Sequence, residues 1–327
     1  MTTPAIDLTP FGLAVGHSTD ADGATGCTVV RGIDGPFRCT AAVAGRATGT
    51  RELAAASPDH VVDRVDAVLL TGGSAYGLDA AAGVMRWMEE RGRGVAVGPA
   101  VVPIVPAAVI FDLAPLGRPE ARPTATMAYA ACDAASPRPS QQGSVGAGTG
   151  ATVGKVRGPA FAMKGGIGCA VVGEGPRAAA LAVVNAFGDV RAADGRILAG
   201  ARADDGSFLD ATRFIGAGGM TRERYGEPPQ PTANTTLAVV AVDASIDRVA
   251  LAQLAHAATA ALYRRITPSG TSFDGDVVFG VCPLDGAPAP ALQLEALAVA
   301  ALEQAIDRAV RHAVGRDGVP GLADRGA

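Results

Sequence analysis

The residues best suited to chemistry meet at one junction, Ala233-Asn234-Thr235-Thr236, which opens the apolar run Leu237-Ala238-Val239-Val240-Ala241-Val242. A threonine hydroxyl has a pKa far above neutrality and needs a base. If the Asn234–Thr235 bond is cut, the new α-amine of Thr235 supplies one, because a pKa of roughly 7.7–8.0 leaves much of it neutral. The chemistry would be attack on an amide carbonyl. The cut itself would follow from attack of the same hydroxyl on the Asn234 carbonyl, giving an ester that water resolves. A β-branched residue at the start of a strand is the plainer alternative.

Other candidates lie far away in sequence. Asp274 and Asp276 flank Gly275 in a turn-like segment, so both carboxylates can face one site and orient an amine or a hydroxyl. An Asp-Gly turn without catalytic role is the simpler explanation of these residues alone, and the spacing of a calcium loop is absent. The glycine-rich stretch from Gly143 to Gly154 ends in Lys155 but fails as a phosphate loop: Thr149 stands where the first glycine belongs, and Val156 where a hydroxyl is needed. Its glycines allow close passage of backbone past a ligand and deliver Lys155, whose charge can stabilise an attacked carbonyl. Asn185, at the end of an apolar run, offers an amide to an oxyanion. Ser74, in Gly72-Gly73-Ser74-Ala75-Tyr76-Gly77, sits at a strand-to-helix turn, but Tyr76 breaks the G-x-S-x-G pattern of a nucleophile elbow. Ser74 and Tyr76 read as pocket residues, with Ser74 a fallback nucleophile. His17, His60, His256 and His312 do not cluster, and no metal site is expected.

The elements that must position these residues follow from periodicity. Strands are expected over 11–16, 26–30, 41–44, 65–70, 169–172, 179–184, from Thr235 onward, and over 277–281. Helices are expected over 77–90, 246–263 and 293–312, with two more Ala-rich helix or loop segments in 112–168. Trp87 falls on the packing face of the first helix. Residues 186–234 read as strand ends and a long linker, with Glu227-Pro228-Pro229-Gln230-Pro231 as a loop leading to Thr235. The strand–helix–strand–helix order after Thr235 implies helices covering a sheet, an α/β fold. Residues 235–327 cannot bury that sheet alone and must share a core with the front part.

Composition narrows the partners. With 48% hydrophobic residues and 18% charged, 327 residues can bury a large core, and 43 glycines suit close layers. A net charge of −4 without a basic stripe argues against nucleic acid. Five scattered cysteines read as buried thiols in a reducing compartment. No signal peptide or clean apolar span is found, so a cytoplasmic protein away from membranes is expected.

The segments 25–29, 70–79, 106–112, 146–155, 234–236 and 273–276, in this order, make the chain resemble peptidase family S58. The resemblance covers roughly residues 9 to 312. It implies a four-layer αββα sandwich, related in architecture but not in strand connection to the N-terminal-nucleophile (Ntn) hydrolases. It implies a precursor that cuts itself into 1–234 and 235–327, two pieces of one shared structural domain, and homo-oligomers of such αβ units. It makes Thr235 the nucleophile and Asn185 an amide helper. Lys155, Asp274 and Asp276 match the threonine-type, nylon-oligomer branch. No metal or organic cofactor is implied. Phe111 stands where several members carry a tyrosine that assists the oxyanion or substrate, so Asn185 and backbone N–H groups are expected to do more. The implied activity is hydrolysis of small peptides or amides through a threonine acyl-enzyme. Acyl transfer of the ornithine acetyltransferase type and a non-enzymatic oligomeric scaffold are the alternatives.

Overall fold

A computed structural model of the protein describes residues 6–219 and 234–326. The Pro-rich approach to the junction, the segment 221–225 and Ala233 lie outside the described residues. Ten strands carry the architecture: β1 (Leu13–Asp20), β2 (Thr25–Gly32), β3 (Arg38–Val43), β4 (Thr50–Arg51), β5 (Ala67–Thr71), β6 (Ala107–Val109), β7 (Gly166–Val172), β8 (Ala178–Asn185), β9 (Thr235–Val242) and β10 (Val277–Cys282). They form two five-stranded sheets, ordered β1-β2-β5-β6-β4 and β7-β8-β9-β10-β3. Both sheets are mixed: β5 runs parallel to β6 and β9 parallel to β10, with antiparallel pairing elsewhere.

Alternation along the strands sorts the side chains into layers. In β8, Ala179, Leu181 and Val183 enter a core shared with Val15, Val30, Val68 and Leu70 of the first sheet. Their neighbours Ala178, Ala180, Ala182 and Val184 face the opposite way, onto a core that includes Leu251, Leu254, Leu294 and Leu302. That second core lies under the helices α4 (Arg248–Ala258), α5 (Ala260–Arg265) and α6 (Ala291–Arg311). On the far side, Cys27, Val29, Ala67 and Leu69 meet Val84, Trp87 and Met88 of α1 (Ala81–Glu89) and Ala128 and Ala131 of α2 (Ala125–Asp133). The result is helix, sheet, sheet, helix. A strand apolar on both faces is the expected signature of a sheet covered on both sides. Each fully buried Leu or Val contributes roughly 1.5–3 kcal/mol, so the sheet–sheet layer is a main source of stability.

The expected elements are largely present, with instructive differences. The first helix begins as a 3-10 turn over Ser74–Ala80 and becomes α-helical only at Ala81. Of the Ala-rich helix or loop segments in 112–168, one is the α-helix α2, and the only other helical pieces there are the short 3-10 turns Gly146–Gly148 and Pro159–Phe161. The stretch read as strand ends and linker contains the short strands Asp189–Arg191 and Ile197–Ala199 and a helix, α3 (Ala211–Gly216). Asp189 explains this order. Its buried carboxylate accepts the N–H groups of Ala201 at 2.9 Å and Ala211 at 2.6 Å, tying three polar-looking segments together. Trp87 packs as expected, and all five cysteines are buried and free. Among the described residues no helix is long and apolar enough to cross a membrane.

Candidate active site

Strand register assembles the site. Antiparallel pairing of β8 with β9 sets Asn185 opposite Thr235. Parallel pairing of β9 with β10 sets Leu237 opposite Val277, and the same offset continues backward to a bridge between Asn234 and Asp274. Gly275 therefore lies beside Thr235, and Asp276 beside Thr236. Three segments distant in sequence thus meet at one end of the inner strands of the second sheet.

The acidic turn is tightly held. Thr236 N–H donates to Asp276 Oδ1 at 2.6 Å, and the Ser269 hydroxyl donates to Oδ2 at 3.2 Å. Asp274 Oδ2 accepts from both the N–H and the hydroxyl of Thr271, each at 2.8 Å. On the other side, Ala47 N–H donates to Asp274 O and Ala44 N–H to Asp276 O, both at 2.9 Å. Both aspartates are 2% exposed. Burial, joined by the charge of Asp274, pushes the Asp276 carboxyl up to about 7. Burial also raises Asp274, against the pull of its Thr271 bonds and of Lys155.

At the junction, Thr235 and Asn234 are buried. The Thr235 hydroxyl donates to Asn234 O at 2.5 Å, and Gly275 N–H donates to the same oxygen at 2.9 Å. The hydroxyl is thus held against the oxygen of the carbonyl that precedes it. No side chain larger than hydrogen fits at Gly275: a Cβ there would stand 2.7 Å from Thr235 Oγ1 and 2.6 Å from Ala47 O.

Asn185 is a hub. Its Nδ2 donates to Phe111 O at 3.0 Å, while its Oδ1 accepts from Thr152 N–H at 3.0 Å and from Lys155 Nζ at 2.8 Å. Lys155 also donates to Asn185 O at 3.1 Å. The lysine arrives there because Gly154 and Lys155 pair through their N–H groups with Gly188 and Phe187, just past β8. Loss of water around the ammonium pulls Lys155 down to about 7, with Asp274 and then Asp112 opposing that shift. The structure thus brings Asn234, Thr235, Asn185, Lys155, Asp274 and Asp276 together. Phe111 joins through its backbone oxygen rather than its ring.

Ser74 and Tyr76 stand apart from this network. Ser74 adopts a left-handed φ of 51°, with its N–H on Ile110 O. Tyr76 is 59% exposed, with the Arg122 guanidinium stacked 3.5 Å from its ring centre. It lines an open pocket of about 800 Å3 together with Arg51, Asp79, Glu120 and Arg122.

Two buried charges beside the site escaped the sequence reading. Lys164 is 1% exposed and donates to the carbonyls of Gly148, Ala151 and Gly165 at 3.1, 2.9 and 3.0 Å. Asp112 is fully buried and accepts from Gly73 N–H and the Thr25 hydroxyl, both at 2.7 Å. Desolvation lowers Lys164 to about 7 and raises Asp112 to about 6, and their mutual attraction opposes both shifts. They support Asn185 from two sides: Ala151 precedes the Thr152 N–H that Asn185 accepts, and Asp112 follows Phe111. A lysine inside the apolar stretch Ala162-Met163-Lys164-Gly165-Gly166 was the available signal.

Known proteins share this architecture. The solved L-aminopeptidase D-Ala-esterase/amidase from Ochrobactrum anthropi, described as a variant of the Ntn hydrolase fold, matches with a TM-score of 0.69 and 19% identity over 96% of this chain and 88% of that one. At that identity the likeness concerns the fold: mixed α/β, of the Ntn-hydrolase type. Sequence supplies the family. Residues 9–321 match the model of peptidase family S58. An uncharacterized aminopeptidase of Mycobacterium tuberculosis H37Rv is 40% identical over 91% of this chain and 90% of that protein. A 6-aminohexanoate-oligomer endohydrolase from Kocuria sp. is 29% identical over 83% of this chain and 72% of that protein. The chain belongs to peptidase family S58.

Proposed function

We propose that this hydrolase of peptide or amide bonds is an autoprocessed enzyme that uses Thr235 as nucleophile on small peptides or amino-acid amides. The observation that carries the proposal is the 2.5 Å hydrogen bond from the Thr235 hydroxyl to the carbonyl oxygen of the residue before it, inside a buried, acid-flanked turn. Cleavage there frees an α-amine on the residue that holds the hydroxyl, so attacker and base come together. In turnover, Oγ1 adds to the substrate carbonyl while the amine takes its proton and passes it to the leaving nitrogen. Water, activated by the same amine, then resolves the acyl ester. Lys155 and the Asp274–Asp276 pair set the field around these steps, and Asn185 ties the lysine to the strand beside Thr235.

The names borne by related proteins suggest two substrate classes, short peptides with a free amino end and oligomers of an ω-amino acid. The 40% identity to a protein named as an aminopeptidase favours the first. Cytoplasmic action and assembly of the cut αβ units into homo-oligomers belong to the same proposal. The test is a panel of amino-acid amides, dipeptides and 6-aminohexanoate oligomers, assayed with wild type and Thr235→Ala. Release of free acid by wild type alone is expected. Hydrolysis by Thr235→Ala at the wild-type rate would remove Thr235 from the mechanism, and products appearing only with an added amine acceptor would indicate acyl transfer.

A further inference from the structure

Resting on the reading of Thr235 as the self-cleaving nucleophile, we infer that the backbone N–H of Gly275 is the oxyanion donor for the cleavage of the chain, and that a side chain at this position displaces the donor. Two separate observations meet here. The Gly275 N–H already holds the scissile carbonyl oxygen, at 2.9 Å from Asn234 O. The space that a side chain would need is taken by the attacking atom, with Thr235 Oγ1 2.7 Å from an ideal Cβ, and by Ala47 O at 2.6 Å.

The chemistry follows from that placement. Oγ1 bonds to the Asn234 carbonyl carbon, and the π pair of the carbonyl moves onto its oxygen, where the Gly275 N–H meets the growing charge. The donor is fixed from both flanks before reaction, by the bridge to Asn234 and by the Ala47 N–H on Asp274 O. It therefore needs no reorganisation as charge develops. The C–N bond to Thr235 then breaks. Its nitrogen leaves with the proton that Oγ1 gave up, leaving an ester between Asn234 and Oγ1 beside a free amine. Water converts the ester to the Asn234 carboxylate and restores the hydroxyl. Asn185 plays a different part in the intact chain, where its Nδ2 donates to Phe111 O and its Oδ1 receives Lys155.

Gly275→Ala and Thr235→Ala precursors test the assignment, with cleavage followed by gel and intact mass, and folding by thermal unfolding. Thr235→Ala should stay whole. Gly275→Ala should fold and cleave about a hundred-fold more slowly, the lower end of the loss expected when an oxyanion donor is displaced. Hydroxylamine, which opens an ester faster than water, should not restore its rate, because the slowed step precedes the ester. Cleavage of Thr235→Ala would overturn the nucleophile itself. Wild-type cleavage by Gly275→Ala, or its rescue by hydroxylamine, with Thr235→Ala intact, would overturn only the glycine's role. If Gly275→Ala does not fold, glycolate in place of Gly275, which exchanges the N–H for an ester oxygen and adds no Cβ, decides: cleavage should slow by about a hundred-fold, and wild-type cleavage would end the inference.

Discussion

Asp276 holds the most altered carboxyl of the site, raised to about 7 by burial and by Asp274. Its ordinary value is 3.8, so between those two pH values the folded protein keeps a proton that the unfolded chain releases. The stability tied to this group is therefore greatest at acid pH and is lost as pH rises toward 7. Lys155 and Lys164 act in the neighbouring window. Lowered from 10.5 to about 7, they leave the unfolded chain holding more protons above neutrality, so their contribution improves as pH climbs toward 10.5. Asp276→Asn removes the acid limb while keeping the shape of the side chain. Its melting temperature should fall less than that of wild type between pH 4.5 and 7; parallel curves would mean that Asp276 is ionised throughout that range.

The helices reach their sheets across glycine. An ideal Cβ on Gly168 of β7 would stand 2.1 Å from Ala305 O and 2.4 Å from Ala309 N, the backbone of α6. Gly16 of β1 does the same beneath α2, 1.9 Å from Ala131 O. Gly168→Ala should push α6 outward and cost about 1–3 kcal/mol, the usual penalty of overpacking a tight core. Chemical denaturation reads it directly, and an unchanged midpoint would contradict the close contact. This layering was readable in the sequence, since abundant Gly and Ala with few aromatics already implied close layers. Strands β8 and β9 were equally plain, because apolar runs buried on both faces carry a strong local signal. Partnership was not readable. Nothing near Arg38–Val43 shows that β3 leaves β1 and β2 to pair with β10 in the other sheet. Thr235, Asn185, Lys155 and the two aspartates were nameable from residue type and resemblance. The Lys164 and Asp112 supports were not, because their roles arise from carbonyls and N–H groups that carry no identity in a sequence. Asp189 hid for the same reason, which made an ordered segment look like linker.

The sheets also decide what a cut does to the molecule. Strands β9 and β10 lie inside the second sheet, flanked by β8 on one side and β3 on the other. Severing the chain before Thr235 leaves those hydrogen-bond ladders intact, and Phe279, buried between the sheets, stays locked among residues of the front part. Residues 235–327 share both of their cores with residues of the front part, Ala178 to Val184 above all. The two pieces should therefore travel together on a sizing column and separate only in denaturant. The most direct measurement is the intact mass of freshly purified protein under denaturing conditions, for wild type and Thr235→Ala side by side. Wild type should yield two masses that sum to the full chain plus one water, with the smaller beginning at Thr235, and the variant a single full-length mass. One uncut mass from fully active wild type would contradict the account.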